Sequence, residues 1–178
     1  MDRGRATLIT AFLERWLDRQ EQQLGESLDW MRHILRRSLA AYRKVVRFMP
    51  MAEHRAGAPK DVWHVARIAA IRHEDCGPCL QIIVNEAVHD GVAPAIVRAA
   101  LNNDAAALGP RLDLARRFAM AVAAHADEAE DLRQQLVAEI GEDALVDLAL
   151  TIAGVRVYPT IKRALGYATS CELVEIRI

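Results

Sequence analysis

Two cysteines separated by two residues are the side chains of this 178-residue chain best placed to do chemistry. They are Cys76 and Cys79, in the stretch IRHEDCGPCLQIIVNEA. Thiols at that spacing can close and reopen a disulfide, or share a metal. Pro78 lacks an N–H and fits the first turn of a helix. Beyond it, Leu80, Ile83, Val84, Ala87 and Val88 keep the i, i+3, i+4, i+7, i+8 spacing of an amphipathic helix. Cys79 therefore falls in a first turn, where unpaired N–H groups and the positive dipole end favour an anion. A thiolate is such an anion.

Magnitudes limit what that placement does alone. Lowering a thiol pKa from about 8.5 to about 7 raises the ionised fraction at neutral pH from a few per cent to about half. Nucleophilicity falls about fivefold in exchange, so the net gain is about threefold. A second thiol within reach and a proton donor must supply the rest. As a staple the pair is weak, since so small a ring gives only about 2 kcal/mol before strain. Such a bond suits opening and closing. Two plainer readings compete. His73, Cys76 and Cys79 have H-x2-C-x2-C spacing for zinc but no evident fourth ligand. Alternatively, both cysteines are inert and buried.

The elements that must hold the pair read as helices. Leu8, Ile9, Phe12, Leu13, Trp16 and Leu17 predict a first amphipathic helix near 6–24. Leu28, Met31, Leu35, Tyr42, Val45 and Met49 predict a second after Ser27, and residues 50–59 a linker. A helix from Pro59 leads to the cysteine pair. Further helices are expected from Pro94 and Pro110, and after an Asp127/Glu130 capping box. A last helix from about Asp143 is apolar nearly all round, so it is expected to be central, with Pro159 interrupting it before Ile161–Ala168. Only the tail LVEIRI has any strand character. A thioredoxin-type site needs a strand feeding its cysteine turn, and none precedes this one. The expected class is all-α: an N-terminal helical extension over 1–50, then a helical domain over 51–178 carrying C-x2-C.

Composition agrees. Apolar residues make up 52%, charged residues 26% and aromatics only 5%, which suits one soluble helical domain. The net charge of −1 gives no global attraction to nucleic acid. No signal peptide and no uninterrupted membrane span is read, so a cytoplasmic location with reduced thiols is expected.

An all-helical chain with C-x2-C opening an amphipathic helix, then Gly91, a short helix and the late apolar segment LALTIAGVRVYPTIKRALG, resembles the carboxymuconolactone decarboxylase superfamily. The cysteine pair points to its alkylhydroperoxidase D-like branch, over about residues 55–170. That resemblance implies a multi-helix bundle and the motif Glu-x11-Cys-x2-Cys-x3-His. It makes Cys79 the thiol that attacks peroxide and Cys76 the resolving thiol. The family's Glu falls on His64 and its His on Ile83, so both sulfurs are kept and both relay positions have changed. Ile83 cannot move a proton. An imidazole can, so His64 ranks first as replacement, with His73 second and Glu74 third. Glu86 shares the helical face of Cys79 but lies seven residues on.

The implied function is a thiol-dependent peroxidase or dithiol–disulfide oxidoreductase, without cofactor or metal. Its substrate is a small peroxide or disulfide, and its reductant a lipoyl-type or thioredoxin-like dithiol. Neither nucleic acid nor membrane is an expected partner, and the family implies a trimer or hexamer. The alternatives are a redox-sensing oligomeric scaffold, suggested by the basic N-terminal helices, and a decarboxylase-like enzyme.

Overall fold

The computed structural model describes residues 3–167 and 177–178, with side chains from Leu8 onward. Nine helices and no strand are found among them. They are α1 (Arg3–Leu24), α2 (Asp29–Arg37), α3 (Leu39–Ala52), α4 (Lys60–His73), α5 (Gly77–His89), α6 (Pro94–Asn102), α7 (Ala105–Ala124), α8 (Ala129–Ile140) and α9 (Glu142–Ala164). The all-α expectation holds. Of the LVEIRI tail only Arg177 and Ile178 are described, and neither is in a strand.

Local chemistry corrects several boundaries. The long helix expected over 28–49 is two. Ser38 adopts an extended conformation and its hydroxyl accepts from the Ala41 N–H, so it caps α3 and ends α2. Pro50 does not open a linker. The last turn of α3 continues to Ala52, where the Thr151 hydroxyl donates to the Ala52 carbonyl at 2.7 Å. The Asp127/Glu130 capping box does not form: the N-cap of α8 is Glu128, which makes no side-chain cap bond. Pro159 lies inside α9, which runs on to Ala164. Gly109, at φ +72°, breaks the helical run, and Pro110 restarts it as expected.

The central helix is α4, not α9. Every residue from Val62 to Ile71 is buried. Around it pack α5, α6, α7 and α9, with Ile68, Val84, Val97, Leu136, Leu148 and Ile152 almost fully enclosed. By length and composition α9 would cross a membrane, but it buries Ala144, Leu148, Ile152 and Val155 in this core and exposes Val146. A second cluster joins the N-terminal helices to it: Leu17, Leu28, Trp30, Met31, Leu35 and Tyr42 pack with Tyr158 and Ile161.

Helices α3 and α9 approach closely at Gly154. A Cβ built there would lie 2.6 Å from both Cα and Cβ of Ala52, so α3 would have to move. Helix propensity favours Ala over Gly by about 1 kcal/mol. Overpacking costs about 1–3 kcal/mol and acts here against backbone. Gly154→Ala is therefore expected to destabilise the protein in urea unfolding; a variant as stable as wild type would contradict this α3–α9 contact.

Candidate active site

The chain turns sharply between α4 and α5. Asp75 takes a left-handed conformation (φ +50°), and Cys76 follows as the extended N-cap of α5. Gly77, Pro78 and Cys79 are the first three helical residues, so Cys79 lies in the first turn as its spacing predicts. Cys76 and Cys79 are joined in a disulfide with their Cα atoms 5.3 Å apart. Both are buried.

Across from the pair lies a residue that the sequence reading passed over. Lys162, on α9, is 7% exposed, and its Nζ is 3.7 Å from Cys79 Sγ. Burial pushes the Lys162 ammonium below its usual range, against the pull of Glu26. Glu26, in the α1–α2 connection, is itself raised by burial, partly offset by Lys162 and Arg177. A cation at this distance from a thiolate is worth about 4 kcal/mol at an effective dielectric near 20, before the desolvation of either group is subtracted. The helix end adds about 0.3–1 kcal/mol in the same direction. A signal for Lys162 was present: it falls seven residues after Val155, on the buried stripe of α9.

Cys79 and Lys162 line a cavity of about 220 Å³; Cys76 does not. From α5 the wall takes Cys79, Ile82, Ile83 and Glu86, from α9 Val155, Tyr158 and Lys162, and from α4 Arg67 and Ile71. Gln20, Leu24, Leu28 and Met31 of the N-terminal helices and their connection form a further part of the wall. The N-terminal segment therefore helps build the site. Arg67 also escaped the sequence reading, although it is the one charged residue in the buried run 62–71. It pairs with Glu86 at 2.8 Å.

The expected relay residues stand elsewhere. His64 is 2% exposed and its Nε2 lies 3.1 Å from Asp90 Oδ2, at the C-cap of α5. Cys79 lies in the first turn of that helix, so Asp90, where His64 pairs, is about 16 Å beyond it along the axis. The structure does not bring His64 and the sulfur together. Burial, stronger than the opposing bond from Asp90, pushes His64 down to about 4, and its ring packs edge-on against Trp63. It is a neutral interface histidine at neutral pH. The carry-over by motif spacing fails because the position one turn later on α4, Arg67, is the one that faces the cavity. His73 is exposed at the end of α4 and is not part of the cavity wall.

Glu74 is buried but committed. Arg156 Nε and Arg163 Nη2 each donate to a different carboxylate oxygen at 2.6 Å, and Arg163 also donates to its carbonyl. Burial would raise its pKa, but the two guanidinium groups outweigh that and hold it below the ordinary range. A carboxylate so held is a poor proton donor. Its contribution is positional: it ties the α4–α5 corner to α9 beside Lys162. Among the described residues no group of three or more His, Cys, Asp and Glu is arranged to hold a metal ion. Cys171 lies outside the described residues.

The arrangement is a closable dithiol at a helix start, with a buried amine beside the sulfur that lines the cavity. No family model, no curated protein and no solved structure matches this chain, so the reading of the site rests on these residues and distances.

Proposed function

We propose that the protein is a thiol-dependent peroxidase of the alkylhydroperoxidase D-like kind, with Lys162 acting where that family uses its relay side chains. The observation that carries this reading is the 3.7 Å approach of Lys162 Nζ to Cys79 Sγ at the cavity wall. In the reduced protein the Cys79 thiolate attacks the terminal oxygen of a hydroperoxide. An S–O bond forms and the O–O bond breaks. The leaving alkoxide takes a proton from the Lys162 ammonium and departs as an alcohol. Cys76 then attacks the sulfenic sulfur, releasing water and closing the disulfide. A small external dithiol supplies the two electrons that reopen it and becomes a disulfide itself.

Burial argues for small reactants at both stages. Cys79 is 8% exposed and Cys76 6%. A protein disulfide would have to reach sulfurs that the surface does not present, whereas a hydroperoxide fits the cavity.

The test is the pH dependence of Cys79 alkylation in reduced protein, followed by mass spectrometry, for wild type and Lys162→Met. A cation within about 4–6 Å shifts a thiol by about one to three pH units. Wild-type Cys79 is expected to reach half-maximal alkylation below the free-cysteine value of about 8.5, and the variant at least about one unit higher than wild type. Peroxide consumption should fall about 10²-fold at neutral pH, from lost ionisation and the lost proton donor. Unchanged titration in Lys162→Met would sink the proposal.

A further inference from the structure

The first helix carries an apolar patch that neither the core nor the cavity uses. Leu8 is 74% exposed and Phe12 69%, and Ile9 beside them is also exposed. Leu8, Phe12, Arg15 and Arg19 keep the spacing i, i+4, i+7, i+11, so they form one row along α1. The opposite face is the one that packs: Leu13, Leu17 and Leu24 belong to the N-terminal cluster. Large apolar side chains left in water side by side mark an interaction surface.

Charge on α1 is sorted by face. Each of its acids is held by an arginine of α2: Glu14 by Arg36, and Asp18 and Glu21 by Arg32. Arg15 and Arg19 are exposed, and among the described residues neither has an ion-pair partner. The outer row is therefore apolar at one end and cationic at the other, with no acid in it. That pattern selects among occupants. A two-fold contact between copies places the same patch on both sides. It would set Arg15 and Arg19 against one another with no carboxylate between them. A nucleic acid would neutralise the arginines but leave Leu8 and Phe12 without an apolar partner. An anionic lipid surface serves both ends of the row: its head groups face the guanidinium groups and its acyl boundary takes the apolar side chains.

We infer that α1 docks on a bilayer surface rich in anionic lipid, with Leu8, Ile9 and Phe12 in the acyl boundary and Arg15 and Arg19 among the head groups. The expectation of no membrane partner rested on the lack of an uninterrupted span, which a helix lying in the interface does not need. The inference is independent of the thiol chemistry. It does give the cavity a location. Gln20 and Leu24 of the same helix line it, so the docked helix sets the cavity about one helix diameter, ~10 Å, from the lipid.

Flotation of the full-length protein with large vesicles tests it. Partitioning onto phosphatidylcholine containing about one-third phosphatidylserine is expected to exceed that onto phosphatidylcholine alone by about tenfold or more, and to weaken in high salt. Leu8→Ser/Phe12→Ser and Arg15→Gln/Arg19→Gln alter only exposed side chains, and each pair should lower partitioning about tenfold. Brominated lipid should quench Trp16, the half-buried tryptophan of α1, whereas Trp30 and Trp63 are buried. No partitioning of wild type, equal partitioning onto both vesicles, or folded variants that partition like wild type overturns the inference. So does an oligomer in lipid-free solution that Leu8→Ser/Phe12→Ser dissociates while vesicles stay unbound, an outcome that assigns the patch to a second copy. Circular dichroism checks the fold of each variant; if one fails to fold, the wild-type vesicle comparison still decides. Because flotation needs no turnover, its failure alongside normal peroxide consumption would remove the lipid surface and leave the peroxidase reading standing.

Discussion

Cys79→Ser is expected to abolish peroxide consumption, by about 10³-fold or more, while Cys76→Ser retains a single turnover. The asymmetry follows from position. Cys79 lines the cavity, lies in the first turn of α5 and has Lys162 Nζ within 3.7 Å. Cys76 is the residue before that turn and does not reach the cavity. Removing the nucleophile of a covalent mechanism commonly costs several orders of magnitude. Removing the resolving thiol should leave the first step nearly intact and stop the cycle there. Reduced Cys76→Ser protein should therefore consume one equivalent of hydroperoxide per chain and hold it as a sulfenic acid that a dimedone-type reagent labels on Cys79. Reversed labelling, with Cys76 oxidised in Cys79→Ser and Cys79 inert in Cys76→Ser, would exchange the two roles. Loss of reactivity in neither variant would remove the cysteines from the chemistry altogether.

The parts of this site that the sequence discloses are the local ones. A proline just inside a helix start, a C-x2-C spacing and an amphipathic run place Cys79 in its first turn without reference to the rest of the chain. The partners of that sulfur are another matter. Lys162 is 83 residues away from Cys79, and the contact arises only when α9 packs beside the α4–α5 corner. Arg67 could be seen as a charge within an apolar run, but its partner Glu86 and its place at the cavity end depend on α4 and α5 lying antiparallel. His64 shows the opposite error. Motif spacing alone placed it at the reaction, whereas the packing of α4 against α5 puts it with Asp90 at the far end. The burial ranking of α4 and α9 was likewise inverted. A sequence shows how apolar a helix is, but not how many neighbours surround it.

The role of the first 50 residues was also closed to sequence reading, and for the same reason. Their apolar spacing indicates that they pack, not against what. Leu28 and Met31 turn out to serve both the second apolar cluster and the cavity wall. A segment that the resemblance treats as an addition is here part of the cavity wall.

The largest loss of stability is expected at Asp147, a buried acid on α9 that no motif marks. Its Oδ2 accepts three backbone N–H bonds, from Ala56, Gly57 and Ala58, at 2.7–2.8 Å, and His54 Nε2 lies 3.4 Å from the other oxygen. Burial pushes its pKa up, but the three N–H donors outweigh it and hold the carboxyl below its ordinary value. Truncation to alanine strands those donors in the linker that leads into α4. Losing one partner of a buried charged network costs about 3–5 kcal/mol, which is a factor of 10² or more in the folding equilibrium. Asp147→Asn keeps an acceptor oxygen in place and should lose only about 1–2 kcal/mol. The sign of the pH effect follows from the depressed pKa. The carboxylate contributes fully above the unfolded-state value, near 3.9, and its contribution disappears as pH falls through the lower folded-state value. The stability gap between wild type and Asp147→Asn, measured by urea unfolding, should thus be level through neutral pH and close below about pH 4. A gap that widens on acidification, or an alanine variant within 1 kcal/mol of wild type, would mean that the linker is held by something other than this carboxylate. Because the same linker starts α4 and so sets the position of Arg67, Asp147→Asn also separates scaffold from chemistry: it should lower stability while leaving the Cys79 alkylation profile where it is in wild type.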